Sequence, residues 1–219
     1  MNNLGNSVSA LKKGEFVILH DGKGRDNEAD MVLLGEKITP EKVRRMRKDA
    51  GGLICVSMDA AAARRLHLQF AVDMLAKDKR HPLSSMGAKR MKYGDMPAFS
   101  ISINHLSTFT GITDNDRSTT IREFSKLVKR KGGVREFQNN FRAIGHVFLL
   151  VSRGLEKRRG HTELSVELAK RAGTTPVLVL CEMLSDSGKA ATKVEAASYA
   201  KRNGFAFLEG WELAGEKGP

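Results

Sequence analysis

The amino-acid sequence predicts an α+β fold, a single domain in which helices surround one mixed β-sheet. Residues 147–151 and 177–181 are continuous apolar runs of strand length, a pattern typical of central strands covered on both faces. A helical segment from about Glu163 to Ala172, which ends at Gly173, lies between them. The 219 residues show no internal repeat and no clear linker, so we expect residues 1–219 to form one domain.

Seven short segments predict the strands of this sheet. Most are apolar runs, whereas Phe99, Ile101 and Ile103 alternate with polar residues, which is typical of a half-buried strand. The predicted strands are residues 16–19, 31–34, 53–58, 99–104, 147–151, 177–181 and 205–208.

Apolar residues at helical spacing predict the helices. Thr39 supplies a capping hydroxyl before a proline at the first helical position, and Asp59 can cap the alanine-rich helix that follows it. The other predicted helices lie near residues 4–11, 121–128, 163–172 and 192–203. Residues 76–94 are rich in Lys, Arg, Gly, Ser and Pro, and they predict a long polar loop that is either mobile or ordered by a partner.

The formal net charge of +12 raises the question of nucleic-acid binding. Aromatic residues make up only 6% of the chain and do not interleave with the basic stretches, so no stacking platform for bases is evident. We interpret these stretches mainly as solvated helix faces, whose positive field would also favour a phosphorylated small substrate. They are residues 44–48, 77–80, 89–92, 126–131 and 157–159.

The sequence also lacks the features of a membrane or secreted protein. No apolar run approaches membrane-spanning length, and the first residues have no charged-then-apolar signal pattern. Cys55 and Cys181 both lie in apolar runs, as buried free thiols do. With only two cysteines a disulfide framework is not expected, so we predict a soluble protein of the reducing cytoplasm.

The most acidic loop, residues 21–30, joins the first two predicted strands. Asp21, Asp26, Glu28 and Asp30 lie so close in sequence that they repel one another unless a cation neutralises them. Carboxylate oxygens are the ligands that Mg²⁺ prefers in proteins. The loop is therefore a candidate metal-binding segment, and the alternative is a solvated hairpin turn.

Residues 158–163 precede a helix and have the features of an anion site. Gly160 lets a ligand approach the backbone, Thr162 can cap the helix, and the free N–H groups of the first turn favour a negative charge. Arg158 and Arg159 stand beside that helix end and suit a phosphate. His161 could ligate a metal, and the alternative is an ordinary capped helix with a surface histidine.

Three more residues occur at predicted strand ends or turns. His146 opens the strand 147–151, Glu182 ends the strand 177–181, and Thr110 lies in a polar turn before a helix. Strand ends meet at the rim of a sheet, where active sites tend to form. Taken singly, each residue is more often structural: His146 as a histidine whose hydrogen bonds are made within the protein, Glu182 as a surface acid and Thr110 as part of a helix cap.

Together these motifs resemble the 3,4-dihydroxy-2-butanone 4-phosphate synthase family of riboflavin biosynthesis along nearly the whole chain. Their order and spacing match, the Thr108 motif looks archaeal, and the lack of a following cyclohydrolase domain resembles the monofunctional form. The matching motifs are Arg25-Asp-Asn-Glu-Ala-Asp30, Asp49-Ala-Gly-Gly-Leu-Ile-Cys55, Thr108-Phe-Thr-Gly-Ile-Thr-Asp-Asn-Asp-Arg117, Gly145-His-Val147, Arg158-Arg-Gly-His-Thr-Glu163 and Cys181-Glu182.

The resemblance implies a role for each matched residue. Asp26 and His161 would bind Mg²⁺, with Mn²⁺ as an alternative, and the number of metal ions is left open. The residues implied to line the reaction centre or transfer protons are His146, Glu182, Glu28 and Cys55. The residues implied to contact the substrate are Arg25, Asp26, Asp30, Thr110, Arg158, Arg159, Gly160, His161 and Thr162.

The implied reaction is a Mg²⁺-dependent lyase step from D-ribulose 5-phosphate to L-3,4-dihydroxybutan-2-one 4-phosphate and formate. Family members are homodimers with sites near the subunit interface, and neither nucleic acid nor membrane is an expected partner. The family usually has Glu at Asp26, Gly at Ala29 and Pro at Ile144, so direct or water-mediated ligation by the shorter Asp26 stays open. The alternatives are another metal-dependent sugar-phosphate isomerase or aldolase and, ranked last, a nucleic-acid-binding protein.

Overall fold

The computed structural model describes residues 3–22, 27–92 and 94–215, and in these ranges seven strands form one sheet. The strands are β1 (Val17–His20), β2 (Ala29–Leu34), β3 (Cys55–Met58), β4 (Phe99–His105), β5 (Phe141–Val151), β6 (Val177–Glu182) and β7 (Ala206–Glu209). Their order across the sheet is β4-β5-β3-β6-β2-β1-β7. The pairs β1–β7 and β3–β5 are parallel and the others antiparallel, which confirms the predicted mixed sheet and α+β class.

Helices cover both faces of this sheet. They are α1 (Asn3–Lys13), α2 (Pro40–Arg45), α3 (Ala60–Arg65), α4 (Ala71–Ala76), α5 (Asp114–Lys129), α6 (Val134–Asn140), α7 (His161–Arg171), α8 (Lys193–Asn203) and α9 (Gly210–Ala214). Helix α2 continues into a π-helical turn, Met46–Ala50. The Thr39 and Asp59 side chains cap α2 and α3 as predicted, each accepting a backbone N–H of the first turn.

The core has two layers, one on each face of the sheet, which explains why the central strands are apolar throughout. Phe124 of α5 is buried in the layer on one face. Leu11 of α1 and Leu168 of α7 are buried on the other face, together with Leu180 of β6. Each such leucine contributes about 1.5–3 kcal/mol by leaving water. The second face is the one on which the candidate site lies.

Strand β5 begins at Phe141, so His146 lies inside the strand, and the prediction that it opens a strand is wrong. The first half of β5 is largely exposed and has no apolar run, so hydrophobicity did not predict it as a strand. Helix α6, just before it, was also missed because Phe137 is its only buried residue. The short helix α9 was not predicted either.

Residues 76–94 are more ordered than the predicted loop over the part that the structure describes. A 3-10 helix, Ser84–Ala88, packs against α4. Gly87 permits this contact, because a Cβ there would lie 2.5 Å from the carbonyl oxygen of Val72. Most of the described part is a polar loop as predicted, but the short helix within it was not predicted.

Strand β4 is half-buried, as its alternation predicts, but its polar side chains are among the buried ones. Ser100, Ser102 and Asn104 are buried, whereas Phe99 is exposed. Burial is tolerated because these groups are paired: the Ser100 hydroxyl donates to the carbonyl of Gln69 at 2.6 Å, and Ser102 accepts the backbone N–H of Gly145 at 3.1 Å.

Helix α7 begins at His161, two residues earlier than predicted. Gly160 occupies the N-cap position without a side-chain cap, so the prediction that Thr162 caps this helix is wrong. No helix in the described ranges is both long enough and apolar enough to cross a membrane. The extent of the domain, residues 1–219, stays a prediction.

Candidate active site

A cavity of about 330 Å³ lies where the start of β2, the end of β6 and the N-terminus of α7 meet. Asp30 and Glu182 are direct partners in the antiparallel pair β2–β6, so their side chains share one face of the sheet. The predicted site residues that line the cavity are Glu28, Asp30, Arg158, His161, Thr162 and Glu182. Its apolar wall includes Phe99, Leu150 and Leu180. Four distant chain segments thus converge on one space.

Hydrogen bonds close the base of the acidic loop and tie it to α7. The backbone N–H of Asp21 donates to the carbonyl of Glu28 at 3.2 Å, and the Glu28 N–H donates to Asp21 Oδ1 at 3.1 Å. His161 Nε2 lies 3.2 Å from the same Glu28 carbonyl and 3.7 Å from Asp30 Oδ1. A carbonyl only accepts, so Nε2 carries a proton, and in the neutral imidazole Nδ1 keeps the lone pair. Metal-bound histidines commonly donate their second N–H to a backbone carbonyl in this way.

Arg158 is held by acids on two sides. Its Nη1 donates to Glu163 Oε2 at 2.6 Å, and its Nε lies 3.5 Å from Asp95 Oδ2. The Glu163 side chain is 0% exposed, and its other oxygen accepts the backbone N–H of Arg153 at 3.0 Å. A buried, charge-assisted pair of this kind fixes the guanidinium at the cavity wall. This role of Glu163 was not predicted, because no local pattern in the sequence shows that its carboxylate would be buried against Arg158.

Glu182 is held by the chain segment that enters β3. Its Oε2 accepts the backbone N–H of Leu53 at 2.8 Å, and its carbonyl accepts the N–H of Gly52 at 3.0 Å. A Cβ on Gly52 would lie 2.6 Å from Glu182 Oε2, so only glycine allows the backbone to approach so closely. The Leu53 N–H thus orients one carboxylate oxygen of Glu182, and the Gly52 N–H holds its backbone.

His146 and Thr110 do not line the cavity but lie together near the same edge of the sheet. His146 is exposed, and alternation along β5 puts it on the same face as Phe148, which packs on the second core layer. Asn104 bonds to both His146 and Thr110. Asn104 was not predicted as a site residue, because its only signal in the sequence was a polar residue in an alternating strand.

Cys55 is fully buried beside Leu180, its partner across β3–β6, and so lies beneath the cavity rather than in its lining. Burial raises the pKa of the Cys55 thiol well above its ordinary value. Cys181 belongs to the other core layer, and burial raises the pKa of its thiol to about 12. Both are free thiols, as predicted.

Arg25 and Asp26 lie outside the described residues. Gly160 is buried, and a Cβ there would lie 2.4 Å from Arg158 Nη1, so this glycine lets the guanidinium cross the backbone. Arg159 is exposed and lines a different cavity, of about 630 Å³, together with His20 and Trp211. That cavity is larger, but it contains none of the carboxylates that meet at β2 and β6.

The charge of the smaller cavity favours a divalent cation. Three carboxylates and one guanidinium line it, so an anionic substrate would be repelled unless a cation offset the excess. Carboxylate oxygens and a histidine nitrogen are suitable donors for such an ion. Among the described residues no three His, Cys, Asp or Glu side chains are grouped closely enough to hold a metal by themselves. A metal site that includes His161 therefore needs a further ligand from residues 23–26 or from solvent and substrate.

One cavity at the edge of the sheet is lined by carboxylates, an arginine and a helix N-terminus. These features are those of an enzyme that binds an anionic substrate together with a cation. The family model of 3,4-dihydroxy-2-butanone 4-phosphate synthase matches residues 6–215. A protein of that name from Methanosarcina mazei is 42% identical over 222 residues, which cover 96% of this chain and 89% of the relative. Another, from Methanothermobacter thermautotrophicus, is 40% identical and covers 94% of this chain and 92% of the relative.

Solved structures of the same kind share the fold. The 3,4-dihydroxy-2-butanone 4-phosphate synthase of Candida albicans superposes with a TM-score of 0.76 at 28% identity, covering 97% of this chain and 95% of that one. A structure of 3,4-dihydroxy-2-butanone 4-phosphate synthase in complex with two magnesium ions has a TM-score of 0.75, with the same identity and coverage. This chain belongs to the 3,4-dihydroxy-2-butanone 4-phosphate synthase family.

Proposed function

We propose that this chain is the lyase that converts D-ribulose 5-phosphate to L-3,4-dihydroxybutan-2-one 4-phosphate and formate in riboflavin biosynthesis. The observation that carries the proposal is the cavity at the edge of β2 and β6. There the acidic loop, the end of β6 and the N-terminus of α7 bring together residues that the family resemblance had marked from sequence alone.

The cavity offers separate places for the two ends of a sugar phosphate. The phosphate end lies at the N-terminus of α7, where backbone N–H groups and Arg158 favour an anion. The sugar end then faces Glu28, Asp30 and Glu182, whose carboxylates can take and return protons during enolisation and loss of water. Thr162 is also among the lining residues, and Leu180 with Cys55 beneath it forms the floor.

A divalent metal completes this chemistry. We propose Mg²⁺, with Mn²⁺ as an alternative, held by His161 through Nδ1 and by Asp26 of the acidic loop. The His161 Nε2 contact to the Glu28 carbonyl supports this choice, because it fixes the ring in the tautomer that leaves Nδ1 for the ion. When bound, the ion polarises the substrate carbonyl and stabilises enediolate charge.

We also propose a homodimer, whose interface includes an apolar patch beside His146 and Thr110. Phe109 is 90% exposed and Ile144 is 86% exposed, and Arg142 Nη2 donates to the Phe109 carbonyl at 3.1 Å, which joins the turn to β5. The patch lies at β4, which is one end of the sheet. Exposed apolar residues grouped in this way mark interaction surfaces. The patch consists of Leu106, Phe109, Ile112 and Ile144.

The oligomeric state tests this interface directly. Ile144→Asp should lower the mass measured by light scattering from a dimer to a monomer, because it buries a charge in an apolar contact. Val194→Asp is a matched control, since Val194 is 74% exposed on α8, which packs at the other end of the sheet. A parent that is monomeric and fully active at the same concentration contradicts the proposal.

The reaction itself is tested with D-ribulose 5-phosphate and Mg²⁺, with formate followed by NMR. We expect formate and the four-carbon ketone phosphate in equal amounts, and their loss in Glu182→Gln. Glu212→Gln, in the short helix α9, is a control of the same chemical change. Consumption of the sugar phosphate without formate would favour an isomerase or aldolase instead. We expect the enzyme to be cytoplasmic, and no contact in the described residues favours nucleic-acid binding.

A further inference from the structure

Asn104 joins two elements of the proposed site that are far apart in sequence. It is 2% exposed at the end of β4. Its side chain bonds to the backbone and the ring of His146 in β5, and to the carbonyl of Thr110 in the turn before α5. These three contacts determine which way the amide is oriented.

The backbone contacts alone fix the amide. The His146 N–H lies 2.8 Å from Asn104 Oδ1, and since an N–H only donates, the oxygen of the amide must be on that side. The nitrogen Nδ2 then lies 3.3 Å from the Thr110 carbonyl, which only accepts. Both contacts give the same orientation, and neither depends on the imidazole.

The amide in turn fixes the His146 ring. Asn104 Nδ2 lies 3.1 Å from His146 Nδ1, and Nδ2 has a second N–H to donate there. Nδ1 must therefore accept through its lone pair. In the neutral imidazole the proton is then on Nε2, the nitrogen on the far side of the ring from Asn104.

Two glycines allow this close arrangement. Gly111 has a positive φ of 93°, and a Cβ there would lie 1.9 Å from Asn104 Nδ2. Asp116 holds the turn by accepting the Gly111 N–H at 2.8 Å. A Cβ on Gly145 would lie 2.1 Å from the carbonyl carbon of Ile103, so β5 can approach β4 at this point only with glycine. The network is thus built by several elements.

We propose that Asn104 is a positioning residue that holds His146 in the tautomer with its proton on Nε2. This rests on the proposed function and on the part in the reaction centre that the family resemblance implies for His146. The neutral ring then presents an N–H donor to an oxygen of the sugar phosphate, where it can stabilise developing negative charge. It does not present a lone pair to abstract a proton.

Nitrogen-15 NMR of the labelled full chain with Mg²⁺ tests the tautomer without measuring activity. The His146 signals are assigned by their loss in His146→Gln. In the parent at a pH where the ring is neutral, we expect Nδ1 to have the shift of an unprotonated nitrogen and Nε2 that of a protonated one. The opposite pattern, or equal mixing of the two tautomers, overturns the proposal whatever the variants do.

Asn104→Asp changes the partner of Nδ1 with little change of shape. The carboxylate still accepts the His146 backbone N–H but now requires a proton on Nδ1, so we expect Nδ1 to become protonated. Asn140→Asp is the matched control, since Asn140 at the end of α6 donates to the Glu136 carbonyl and does not contact His146. An unchanged His146 spectrum in Asn104→Asp overturns the proposal.

Activity then separates this inference from the proposed function. Loss of the Nε2 donor should lower kcat of Asn104→Asp by about 10²-fold, as removal of one donor to a developing oxyanion does. KM should change much less, because the phosphate is bound at α7. If the tautomer is as stated but kcat is unaffected in both Asn104→Asp and His146→Gln, the positioning by Asn104 stands and the role of His146 in the reaction falls.

Discussion

Replacing Gly52 by alanine should damage the site by displacing Glu182. The added Cβ would lie 2.5 Å from the Glu182 carbonyl oxygen and 2.6 Å from Oε2, well inside contact distance. Neither neighbour can yield easily: the carbonyl belongs to the backbone, and Oε2 is held by the Leu53 N–H at 2.8 Å. The backbone of residues 51–53 and the carboxylate must therefore move apart.

The magnitude follows from the two hydrogen bonds and the clash. Overpacking of a tight contact costs about 1–3 kcal/mol, and we expect the free energy of unfolding to fall by that amount. A shift of about 1 Å in a catalytic group lowers the rate by roughly 10²-fold, so kcat should fall to about a hundredth of the parent value. Urea unfolding and formate release at a temperature where the variant is folded measure the two effects.

Gly133→Ala is the matched control for this experiment. Gly133 has a φ of −97° and no atom within 4 Å of its added Cβ, so the same substitution should change the free energy of unfolding by less than about 1 kcal/mol. A Gly52→Ala protein with the parent's kcat and stability would refute the reasoning that this backbone positions Glu182. A loss of stability alone, with kcat intact, would show that Glu182 adjusts without consequence for the reaction.

Three further outcomes are expected. EDTA should abolish formate release and Mg²⁺ restore it, and full turnover without metal would contradict the metal assignment. Glu163→Gln should lower the free energy of unfolding by about 3 kcal/mol or more, measured in urea, because it leaves the buried Arg158 charge without its closest acid; Glu167→Gln, in an exposed pair with Arg171, should cost less than about 1 kcal/mol. The thiol pKa of Cys181 is about 12 in the folded protein, above its ordinary value of 9.0. The contribution of the protonated thiol to stability is therefore complete below pH 9 and is lost towards pH 12. The free energy of unfolding should fall between pH 7 and pH 10 by less in Cys181→Ala than in the parent.

The elements with strong local signals were predicted from sequence. Helix α8 was predicted near residues 192–203, and it spans Lys193–Asn203 between the capping side chain of Thr192 and Gly204, which has a positive φ of 68°. Glu182 was also placed correctly at the end of β6, because an apolar run with an acid after it has one simple interpretation. The fold class followed from such runs and from the absence of a linker.

The roles that sequence could not reveal depend on partners distant in the chain. Asn104 can bond to His146 only when β5 lies beside β4, so its role is visible only in the folded structure. His146 itself was misplaced at a strand end because half of β5 is exposed. Glu163 was seen as a helix residue, since nothing local indicates that a buried carboxylate would face Arg158. Pairings of this kind are tertiary, and hydrophobic patterns do not encode them directly.

The order of strands in the sheet has a consequence for how this protein is made. Strand β2 lies between β1 and β6. Its residue Asp30 pairs with Glu182 of β6, which follows it in the chain by about 150 residues. Strand β1 likewise cannot pair with β7 until the chain has been made beyond residue 206. In a nascent chain β1 and β2 can pair with each other, but each lacks its second neighbour until β7 and β6 have been made, and long-range pairing of this kind slows folding. Catalytic competence should appear only after β6 has emerged, so no N-terminal fragment ending before Val177 can retain part of the activity.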